Sequence, residues 1–600
     1  MIGVLAMNVL RLAMFAVLLQ GAAPQTPPLP PGTASIEGVV VKLGTNEPIA
    51  GADLELTGQI APGANPNPAG TSGPIRAVTS GADGKFAFRS VRAGTYKLVA
   101  ARIGGSYTPF EYGQRGPIGR GVSFSVADGE QKKDVRMEMA LVGSISGRIL
   151  DSDNRPVGHV AVMAFSPIYR NGERIVTMLQ LVHSDDHGDY RLFSLTPGRY
   201  FVAARLEDLT RRTVPLGYYP PGRMLAMDRV ESPVVTRRTL PTGDVVEETY
   251  RVLYYGGGLN GDLASPIDIG PGANVAGVDI PIAQSKVPSL HIRGKITASA
   301  GLALPTGARV VAVPYRYSAD MIFPTSGADS NGAFDLAGAF PGKYYLTVTI
   351  PPDPNIRTNP QPPPQFGYTL IEVGEKDLEG LSVTATPPVG FSGKISIEGR
   401  SDNDPALAAI RVDFTPEPYI QGSPPVNPNA TFTATGEFTV RALPQWDFYP
   451  AITTGLPANG YVKSVRMAGK DLLLTPLHVD GQIDGKMEVI IGIDASTLTG
   501  RVLDERQEPS VNVKVALIPD APLRRRWDLY KVTATDTAGN FTLRTVPPGD
   551  YKVFAWEQAD DNIWTVPEFL NADEGRGKSI HIGPSANEKV EFTVIPSRRR

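Results

Sequence analysis

One sequence pattern recurs five times along this 600-residue chain and limits what the chain can fold into. A glycine is followed two residues later by an aromatic residue and twelve residues later by a second aromatic residue, and in four copies another glycine stands ten residues after the first. Because a catalytic site is seldom copied within a chain and a folding unit often is, the pattern predicts a repeated scaffold. Its corner residues are Gly84, Gly94, Tyr96, Gly188, Gly198, Tyr200, Gly332, Gly342, Tyr344, Gly436, Phe448, Gly539, Gly549 and Tyr551.

Each copy predicts two strands joined by a tight corner. In the last copy the apolar residues Tyr551, Val553 and Ala555 occupy every second position after Pro548-Gly549, which indicates a strand with one face on a core. Proline followed by glycine suits the corner, since proline presets φ and glycine accepts a positive φ. Three copies have an aspartate that can accept hydrogen bonds from the turn's own amides: Asp185, Asp329 and Asp536.

A second glycine anchor lies about 40 residues before the first glycine of each copy. These anchors are Gly38, Gly147, Gly294, Gly393 and Gly500, which lie 109, 147, 99 and 107 residues apart. Short alternating segments separated by turn residues fill the space between the anchors. About seven such segments per hundred residues are typical of an antiparallel β-sandwich.

These spacings divide the chain into seven segments. We predict a signal peptide at residues 1–23, a proline-rich spacer at 24–33, and five sandwiches at 34–141, 142–286, 287–387, 388–494 and 495–597, the second with an insertion at about 206–266. The fourth is divergent, because Trp446 replaces the corner glycine and Pro450 lies inside the next strand. That strand is expected to be an edge or bulged strand.

The combined pattern resembles the carboxypeptidase regulatory-like domain, a small sandwich of transthyretin-like or prealbumin-like topology. It is also similar to the B-type repeats of collagen adhesins and to starch-binding-like folds. The resemblance is strongest in the first, second and fifth units, and it implies an all-β tandem array of five Ig-like domains. It implies no peptidase chemistry, because in that family this domain accompanies zinc carboxypeptidases without carrying their active site.

The amino terminus has the pattern of an export signal. Arg11 precedes the apolar run from Leu12 to Leu19, and the small residues Gly21, Ala22 and Ala23 suit cleavage. An uncleaved anchor is the alternative, although the run is short for a bilayer span. Translation from Met7 instead of Met1 would give a more typical signal. We therefore expect an exported protein of the periplasm, the outer cell surface or the medium, without a membrane span after cleavage.

Composition excludes several classes of function. The formal net charge of −3, from 58 basic and 61 acidic residues, argues against an electrostatic nucleic-acid binder. The chain has no cysteine, so it contains neither disulfides nor thiolate nucleophiles. Glycine and proline, at 63 and 55 residues, are spread over the turns of a β protein.

Motifs for catalysis are missing from the sequence, which contains no H-E-x-x-H, G-x-S-x-G or Walker-type loop. His183 and His187 flank Asp185 and Asp186 and could be a metal site or the repeated turn with histidines in it. The turn is the favoured interpretation, because in a strand-turn context a spacing of four does not place both imidazoles on one helical face. We predict no catalytic residue, no cofactor and no metal site.

The insertion of the second unit holds the candidate binding residues, which are Tyr218, Tyr219, Arg237, Arg238, Tyr254 and Tyr255. Long loops on a rigid sandwich often carry recognition, and aromatic faces suit sugar rings and peptides alike. The alternative is that these tyrosines pack the loop against its own domain.

Three functions remain open at this point. The first is a non-enzymatic scaffold or adhesion protein that contacts a protein or glycan of the cell envelope or extracellular matrix. The second is a carbohydrate-binding protein that uses exposed aromatic loops. The third is an accessory subunit of an envelope peptidase or transporter system. Short joins between units, such as Met139 to Ile145, predict a monomeric, elongated rod.

Overall fold

The computed structural model describes residues 32–60, 76–114, 121, 123–170, 172–206, 232–259, 264–298, 307–315, 322–353, 358, 361–420, 430–457, 459–536 and 538–597. Strands dominate these ranges, and the one α-helix within them is α1 (Pro567–Asp573). The predicted tandem array of β-sandwiches is confirmed. No helix among the described residues has the length and apolar character needed to cross a membrane. The signal peptide lies outside these ranges, and the predicted domain boundaries stay predictions.

The first two sandwiches contain twenty strands. The strands of the first are β1 (Ala34–Lys42), β2 (Asp53–Ile60), β3 (Arg76–Thr79), β4 (Lys85–Val91), β5 (Gly94–Ala101), β6 (Phe110–Glu111), β7 (Phe124–Val126) and β8 (Gln131–Met139). Those of the second are β9 (Gly143–Leu150), β10 (Ala161–Arg170), β11 (Glu173–His183), β12 (Asp189–Leu195), β13 (Gly198–Arg205), β14 (Val235–Thr239), β15 (Val245–Tyr250), β16 (Leu253–Tyr254), β17 (Ile267–Ile269), β18 (Asn274–Val275), β19 (Ile280–Pro281) and β20 (Lys286–Pro288).

The other three sandwiches contain the remaining twenty-three strands. The strands of the third are β21 (Leu290–Ala298), β22 (Arg309–Pro314), β23 (Thr325–Gly327), β24 (Ala333–Ala339), β25 (Gly342–Ile350), β26 (Gln365–Val373) and β27 (Leu378–Ala385). Those of the fourth are β28 (Val389–Ile397), β29 (Arg411–Glu417), β30 (Thr431–Phe432), β31 (Glu437–Leu443), β32 (Asp447–Thr454), β33 (Tyr461–Met467), β34 (Lys470–Asp471), β35 (Leu477–His478) and β36 (Lys486–Gly492). Those of the fifth are β37 (Ser496–Leu503), β38 (Lys514–Pro519), β39 (Lys531–Ala534), β40 (Asn540–Val546), β41 (Gly549–Trp556), β42 (Lys578–Ile582) and β43 (Asn587–Thr593).

The first strand of every sandwich lies between two others of its sheet. On one side it pairs antiparallel with the strand that follows the repeated turn, and on the other side it pairs parallel with the last strand of the sandwich. These triplets are β4-β1-β8, β24-β21-β27, β31-β28-β36 and β40-β37-β43, and in the second sandwich β9 lies between β12 and the split last strand β18 and β19. One parallel pairing per sandwich therefore accompanies the antiparallel pairs.

The first strand of each sandwich carries one glycine anchor and forms a backbone hydrogen bond with the other, the glycine of the repeated turn. The N–H of Val40, two residues after the anchor Gly38, donates to the carbonyl of Gly84 at 2.8 Å. Gly38 itself has no room for a side chain, since a β-carbon there would lie 2.7 Å from the ring of Phe86. The backbone bond recurs from Ile149 to Gly188, Ile296 to Gly332, Ile395 to Gly436 and Val502 to Gly539. The close ring recurs at Gly294 with Phe334, Gly393 with Phe438 and Gly500 with Phe541.

The corner tyrosine of four copies closes the turn that precedes it. The Tyr551 hydroxyl donates to the carbonyl of Pro547, four residues earlier, at 2.9 Å. The same hydrogen bond joins Tyr96 to Arg92, Tyr200 to Thr196 and Tyr344 to Phe340. At the other turn, Asp536 accepts from the amides of Ala538 and Asn540, which is the hydrogen bonding expected from the sequence.

A methyl group at an anchor glycine tests this contact. In Gly500→Ala the added β-carbon would lie 2.4 Å from the Val590 carbonyl oxygen and 2.5 Å from the Phe541 ring, so overpacking should destabilise the fifth sandwich by about 1–3 kcal/mol. Urea unfolding followed by tryptophan fluorescence measures this, because three of the four tryptophans lie between residues 527 and 564. Gly575→Ala in the same sandwich has nothing within 4 Å of its added β-carbon and should leave the midpoint unchanged. Equal midpoints for the two variants would contradict the packing argument.

The third and fourth sandwiches share one buried cluster. Val313, Phe323, Tyr345 and Phe366 of the third pack with the apolar core of the fourth. Each of the two also has its own core residues, but the apolar contact between them is continuous. These two sandwiches therefore do not have fully separate cores, because facing aromatic side chains bury each other across the join.

Trp446, which replaces the corner glycine of the fourth copy, lies at the centre of this join. Its indole ring is 4% exposed and stacks on Tyr368 at a centroid distance of 4.1 Å and on Phe366 at 5.3 Å. The indole N–H donates to the carbonyl of Glu417 at 3.1 Å. The departure from the repeat thus coincides with an aromatic contact between domains.

Removing this indole should separate the unfolding of the two sandwiches. Truncation of a buried tryptophan costs about 3–5 kcal/mol, and Trp446→Ala also removes the contact that couples the two cores. Scanning calorimetry should show one joint transition for the wild-type pair and two for Trp446→Ala. Tyr419→Ala, at a side chain that is 59% exposed, serves as the control and should keep the joint transition. An unchanged endotherm in Trp446→Ala would contradict the coupling.

Pro450 lies where a proline is tolerated. It pairs with Phe414 on one side of β32, whereas β35 reaches only Asp447 and Phe448 on the other. At Pro450 the strand is therefore at the edge of its sheet, and the β29–β32 pairing also shifts register near Arg411. The edge or bulged strand expected from the sequence is confirmed.

The five sandwiches do not form a rod. The N–H of Gly172 in the second sandwich donates to the hydroxyl of Thr565 in the fifth at 3.3 Å, although 393 residues separate them. Arg526 of the fifth also donates to the carbonyl of Val462 in the fourth. The prediction of an elongated rod is wrong, because short joins restrict the angle between neighbours without making it straight. Here successive angles bring the fifth sandwich back to the second.

Candidate binding surface

The two predicted binding arginines lie on β14, in a hairpin with β15. Arg237 Nε donates to Glu247 Oε1 at 2.6 Å, and Arg238 Nη2 donates to Glu248 Oε1 at 3.0 Å. Lys286 also binds Glu248, at 2.5 Å. Hydrogen bonds from Arg238 and Lys286 lower the pKa of Glu248, so the carboxylate stays ionised opposite both cations. Acidic side chains of the neighbouring strand thus neutralise this basic pair.

The predicted tyrosines lie elsewhere. Tyr254 is half-buried, with its ring 6.0 Å from that of Phe165, and Tyr255 packs against the core of the second sandwich. Tyr218 and Tyr219 lie outside the described residues. The arginines thus belong to a charged hairpin and the two described tyrosines to apolar packing, and the role of these residues in binding stays a prediction.

The same hairpin connects the second sandwich to the third through a charged network. The His291 ring lies 2.7 Å from Glu247 through Nε2 and 2.5 Å from Asp335 through Nδ1. Arg293 extends the network to Asp335, Asp377 and Glu379. Burial lowers the pKa of His291, but the hydrogen bonds to Asp335 and Glu247 raise it by more, so its net pKa lies above the ordinary histidine value.

This network makes the join sensitive to pH. Only 13% of the His291 side chain is exposed, and its pKa is higher in the folded protein than in the unfolded chain, where it is about 6.5. Its stabilisation of the join is therefore complete below about pH 6.5 and is lost as the pH rises through the raised folded pKa. We expect protection of the β15 amides from hydrogen exchange, corrected for intrinsic rates, to fall over that range in the wild type.

In His291→Gln the corrected protection should not vary with pH in this way. His581→Gln is the control, because it removes an exposed histidine–aspartate pair elsewhere: His581 pairs with Asp550, and its side chain is 73% exposed. In this variant the protection of the β15 amides should depend on pH as it does in the wild type. A wild-type profile that coincides with that of His291→Gln would contradict the role of the charged imidazole.

The repeated turn of the second sandwich brings possible metal ligands together. One ligand atom each of Asp185, Asp186 and His187 lies within 4.8 Å of the others, and all three residues are exposed. One oxygen of Asp185 already accepts the amides of His187 and Asp189, and His187 Nδ1 lies 2.9 Å from Asp186. This hydrogen bonding is that of a turn, and the cluster has no further feature that points to a cation.

One large concave surface among the described residues is a cleft of about 1750 Å³ where the first, second and fifth sandwiches meet. The first contributes β5 and β7, the second contributes β10 and the start of β13, and the fifth contributes β39, β40 and the loop before α1. We call this surface the three-domain cleft. Its volume exceeds that of an ordinary small-molecule pocket, about 300–1,000 Å³, so it has room for a polymer segment.

The three-domain cleft is basic in a chain that is slightly acidic. Its lining contains seven basic and four acidic side chains: Lys97, Lys132, Arg174, Arg199, Lys514, Lys531 and Arg544, with Asp268, Asp536, Asp560 and Asp561. Arg199 pairs with Asp268 at 2.8 Å, and the nearly buried Lys514 pairs with Asp561. The pKa of Arg199 is raised chiefly by its hydrogen bond to Asp268, with a smaller contribution from Asp560.

The remaining cations of the cleft differ in their surroundings. Lys132 lies 5.4 Å from the Phe124 ring centroid, and Arg174 lies 5.5 Å from that of Phe201. No described residue forms an ion pair or a hydrogen bond with the charged groups of Lys97, Lys531 and Arg544. Burial lowers the pKa of Lys531, and the nearby Asp528 offsets part of this effect.

Sequence reasoning did not find the three-domain cleft. Its walls come from segments up to about 470 residues apart, and only one of its cations, Lys132 beside Lys133, has a basic neighbour in the sequence. No local signal marks Lys531 and Arg544 as part of a cleft, because isolated charges of this kind are common on the surface of β-sandwiches.

No family model matches this chain, and no curated protein sequence matches it significantly. The resemblance to the carboxypeptidase regulatory-like domain therefore stays a prediction.

Solved structures with some similarity include bacterial pilins. GBS52, the minor pilin of Streptococcus agalactiae, is 12% identical over 41% of this chain and 94% of its own, with a TM-score of 0.21. The TIE protein of Bacillus anthracis is 10% identical over 93% and 73%, with a TM-score of 0.14. BcpA, the major pilin subunit of Bacillus cereus, is 11% identical over 59% and 99%, with a TM-score of 0.13. TM-scores this low support no conclusion about this chain, whose fold is assigned from its own sheets.

Proposed function

We propose that this protein is a non-enzymatic, exported scaffold that binds another protein of the cell envelope. One observation carries the proposal: three sandwiches from distant parts of the chain jointly wall a single cleft. The joins between neighbouring sandwiches are also held by specific contacts, namely the Trp446 stack and the His291 network. A multidomain body held in this way presents a shaped surface without needing a reaction centre.

The residues that recur in every copy support the same proposal. The anchor glycines and the first aromatic residues of all five copies, and the corner tyrosines of four, are engaged in backbone contacts and core packing within their own sandwich. What the repeats share is therefore folding, and specific recognition falls to surfaces that differ between copies. The export of the chain is inferred from its apolar amino-terminal segment.

Capture from the native envelope tests the proposed function. The chain without residues 1–23 is immobilised and exposed to envelope extract that is untreated, protease-digested or oxidised with periodate. Saturable capture that survives periodate and is lost after protease digestion is expected. The heat-unfolded chain serves as the control and should capture nothing saturably. Capture lost only after periodate, or no saturable capture at all, would contradict a protein partner.

A glycan partner is the second candidate, and one observation favours it. Tyr315 is 53% exposed, and its ring lies 5.4 Å from that of Tyr345, so the join of the third and fourth sandwiches presents an aromatic face. Such faces stack against sugar rings. Loss of capture after periodate alone would support this candidate.

The accessory role in an envelope peptidase or transporter system is a third form of the proposal. It predicts that the captured protein is a subunit of such a system, which mass spectrometry of the eluate identifies. A scaffold or adhesion role predicts a structural surface protein instead.

A further inference from the structure

We propose that the three-domain cleft binds an extended, acidic polypeptide segment, which adds as a strand to the outer edge of β39. This inference rests on the proposed scaffold function and specifies its partner by chemistry. It is carried by two independent features of the cleft, namely its charge and its exposed strand edges.

The charge of the three-domain cleft selects an acidic occupant. Three of its four acidic side chains have named partners, since Asp268 binds Arg199, Asp561 binds Lys514, and Asp536 accepts two backbone amides. The fourth, Asp560, interacts electrostatically with Arg199. The charged groups of Lys97, Lys531 and Arg544 lack such partners among the described residues. A carboxylate that enters the cleft therefore meets cations that do not have to break an ion pair within the protein. Complementary charge of this kind speeds the encounter of the two partners and fixes the register in which they bind.

The strand edges of the cleft select an extended polypeptide. β39 and β40 are the terminal strands of the two sheets of the fifth sandwich, and both line the cleft. The backbone N–H of Thr535 donates to the Val513 carbonyl, so the main-chain groups of Thr535 point toward β38. Along an antiparallel strand, successive residues point their N–H and C=O groups alternately to one side and to the other. The N–H and C=O groups of Val532 and Ala534 therefore point away from β38, toward the outer edge of β39. No described strand pairs with that outer edge. An incoming strand would find main-chain donors and acceptors there, as in β-strand addition.

Three of the six aromatic residues of the cleft offer little ring face to a sugar chain. Trp564, Phe541 and Phe124 are 3%, 4% and 9% exposed, so their faces are covered by their own sandwiches. Tyr112, Tyr169 and Tyr530 are half-buried, and Tyr112 and Tyr530 pack against Phe124 and Trp527. Stacking on a sugar needs an open ring face. Val532, by contrast, is 39% exposed on the free edge of β39, where it can contact a side chain of an added strand.

Binding of poly-L-glutamate to the full chain tests the charge. Lys531→Glu combined with Arg544→Glu should weaken binding at least about tenfold, since two attractive contacts become repulsive. The matched control is Arg576→Glu combined with Lys578→Glu, which makes the same charge change in the same sandwich beside the opposite edge strand, β42. This control should bind like the wild type in fluorescence anisotropy at fixed ionic strength.

A proline on the free edge tests strand addition separately. Val532→Pro removes an outward N–H from an edge strand, a position where proline is tolerated, and should also weaken poly-L-glutamate binding about tenfold. Val532→Thr keeps both the N–H and the branched shape, and should bind like the wild type. Urea midpoints by tryptophan fluorescence verify that each variant is folded, and the charge-reversed pair provides the test if the proline variant is not.

Three outcomes would overturn the inference. The first is no binding of poly-L-glutamate by the wild type, and the second is an equal loss of binding in the two charge-reversed pairs. The third is tighter binding of polygalacturonate than of poly-L-glutamate with the same dependence on Lys531 and Arg544, which would identify an acidic sugar as the occupant. Protease-sensitive envelope capture that persists in the Lys531→Glu, Arg544→Glu variant would leave the scaffold function intact while refuting this cleft as its binding site.

Discussion

The contact between the two glycine anchors of each repeat is the constraint on which the rest of the structure depends. In four sandwiches the first strand passes so close to an aromatic ring and to the last strand that its anchor tolerates only hydrogen at Cα, as Gly38 and Gly500 do. In the second sandwich Gly147 lies equally close to the backbone of Val278. Two residues later the same strand donates an amide to the carbonyl of the turn glycine. A single strand thus fixes the turn, the aromatic core residue and the pairing with the last strand. Five repetitions of this contact make a chain without disulfides into an array of packed domains.

Much of this could be predicted because the signals are local. The spacing of Gly539, Phe541, Gly549 and Tyr551 specifies a turn, a strand, a corner and a second strand, and each step involves residues within about a dozen positions. The hydrogen bonds of Asp536 to its own turn follow from the same short range. The pairing of β1 with β8 was harder to foresee, since the two strands are separated by most of the domain.

The joins between sandwiches could not be predicted for the opposite reason. Trp446 was visible only as an exception to the repeat, and nothing nearby indicates that Tyr368 would stack on it. Arg237 and Arg238 were visible as a basic pair, whereas their neutralisation depends on the register of β14 with β15. The three-domain cleft depends on the sum of several joins, each with its own angle. Recognition residues assigned from a loop sequence alone therefore miss a surface that exists only after the whole chain has returned on itself.

The parallel pairing of first and last strands has a mechanical consequence. Adjacent strands that run in the same direction begin at the same end of a sandwich, so the chain enters at one end and leaves at the other, as with β37 and β43. Tension between the two ends of a domain then acts along these strands, and the ladder hydrogen bonds between them are loaded together in shear. A hairpin pulled at its open end would instead unzip one bond after another. Each sandwich is thus connected so that a pull along the chain meets its most resistant direction.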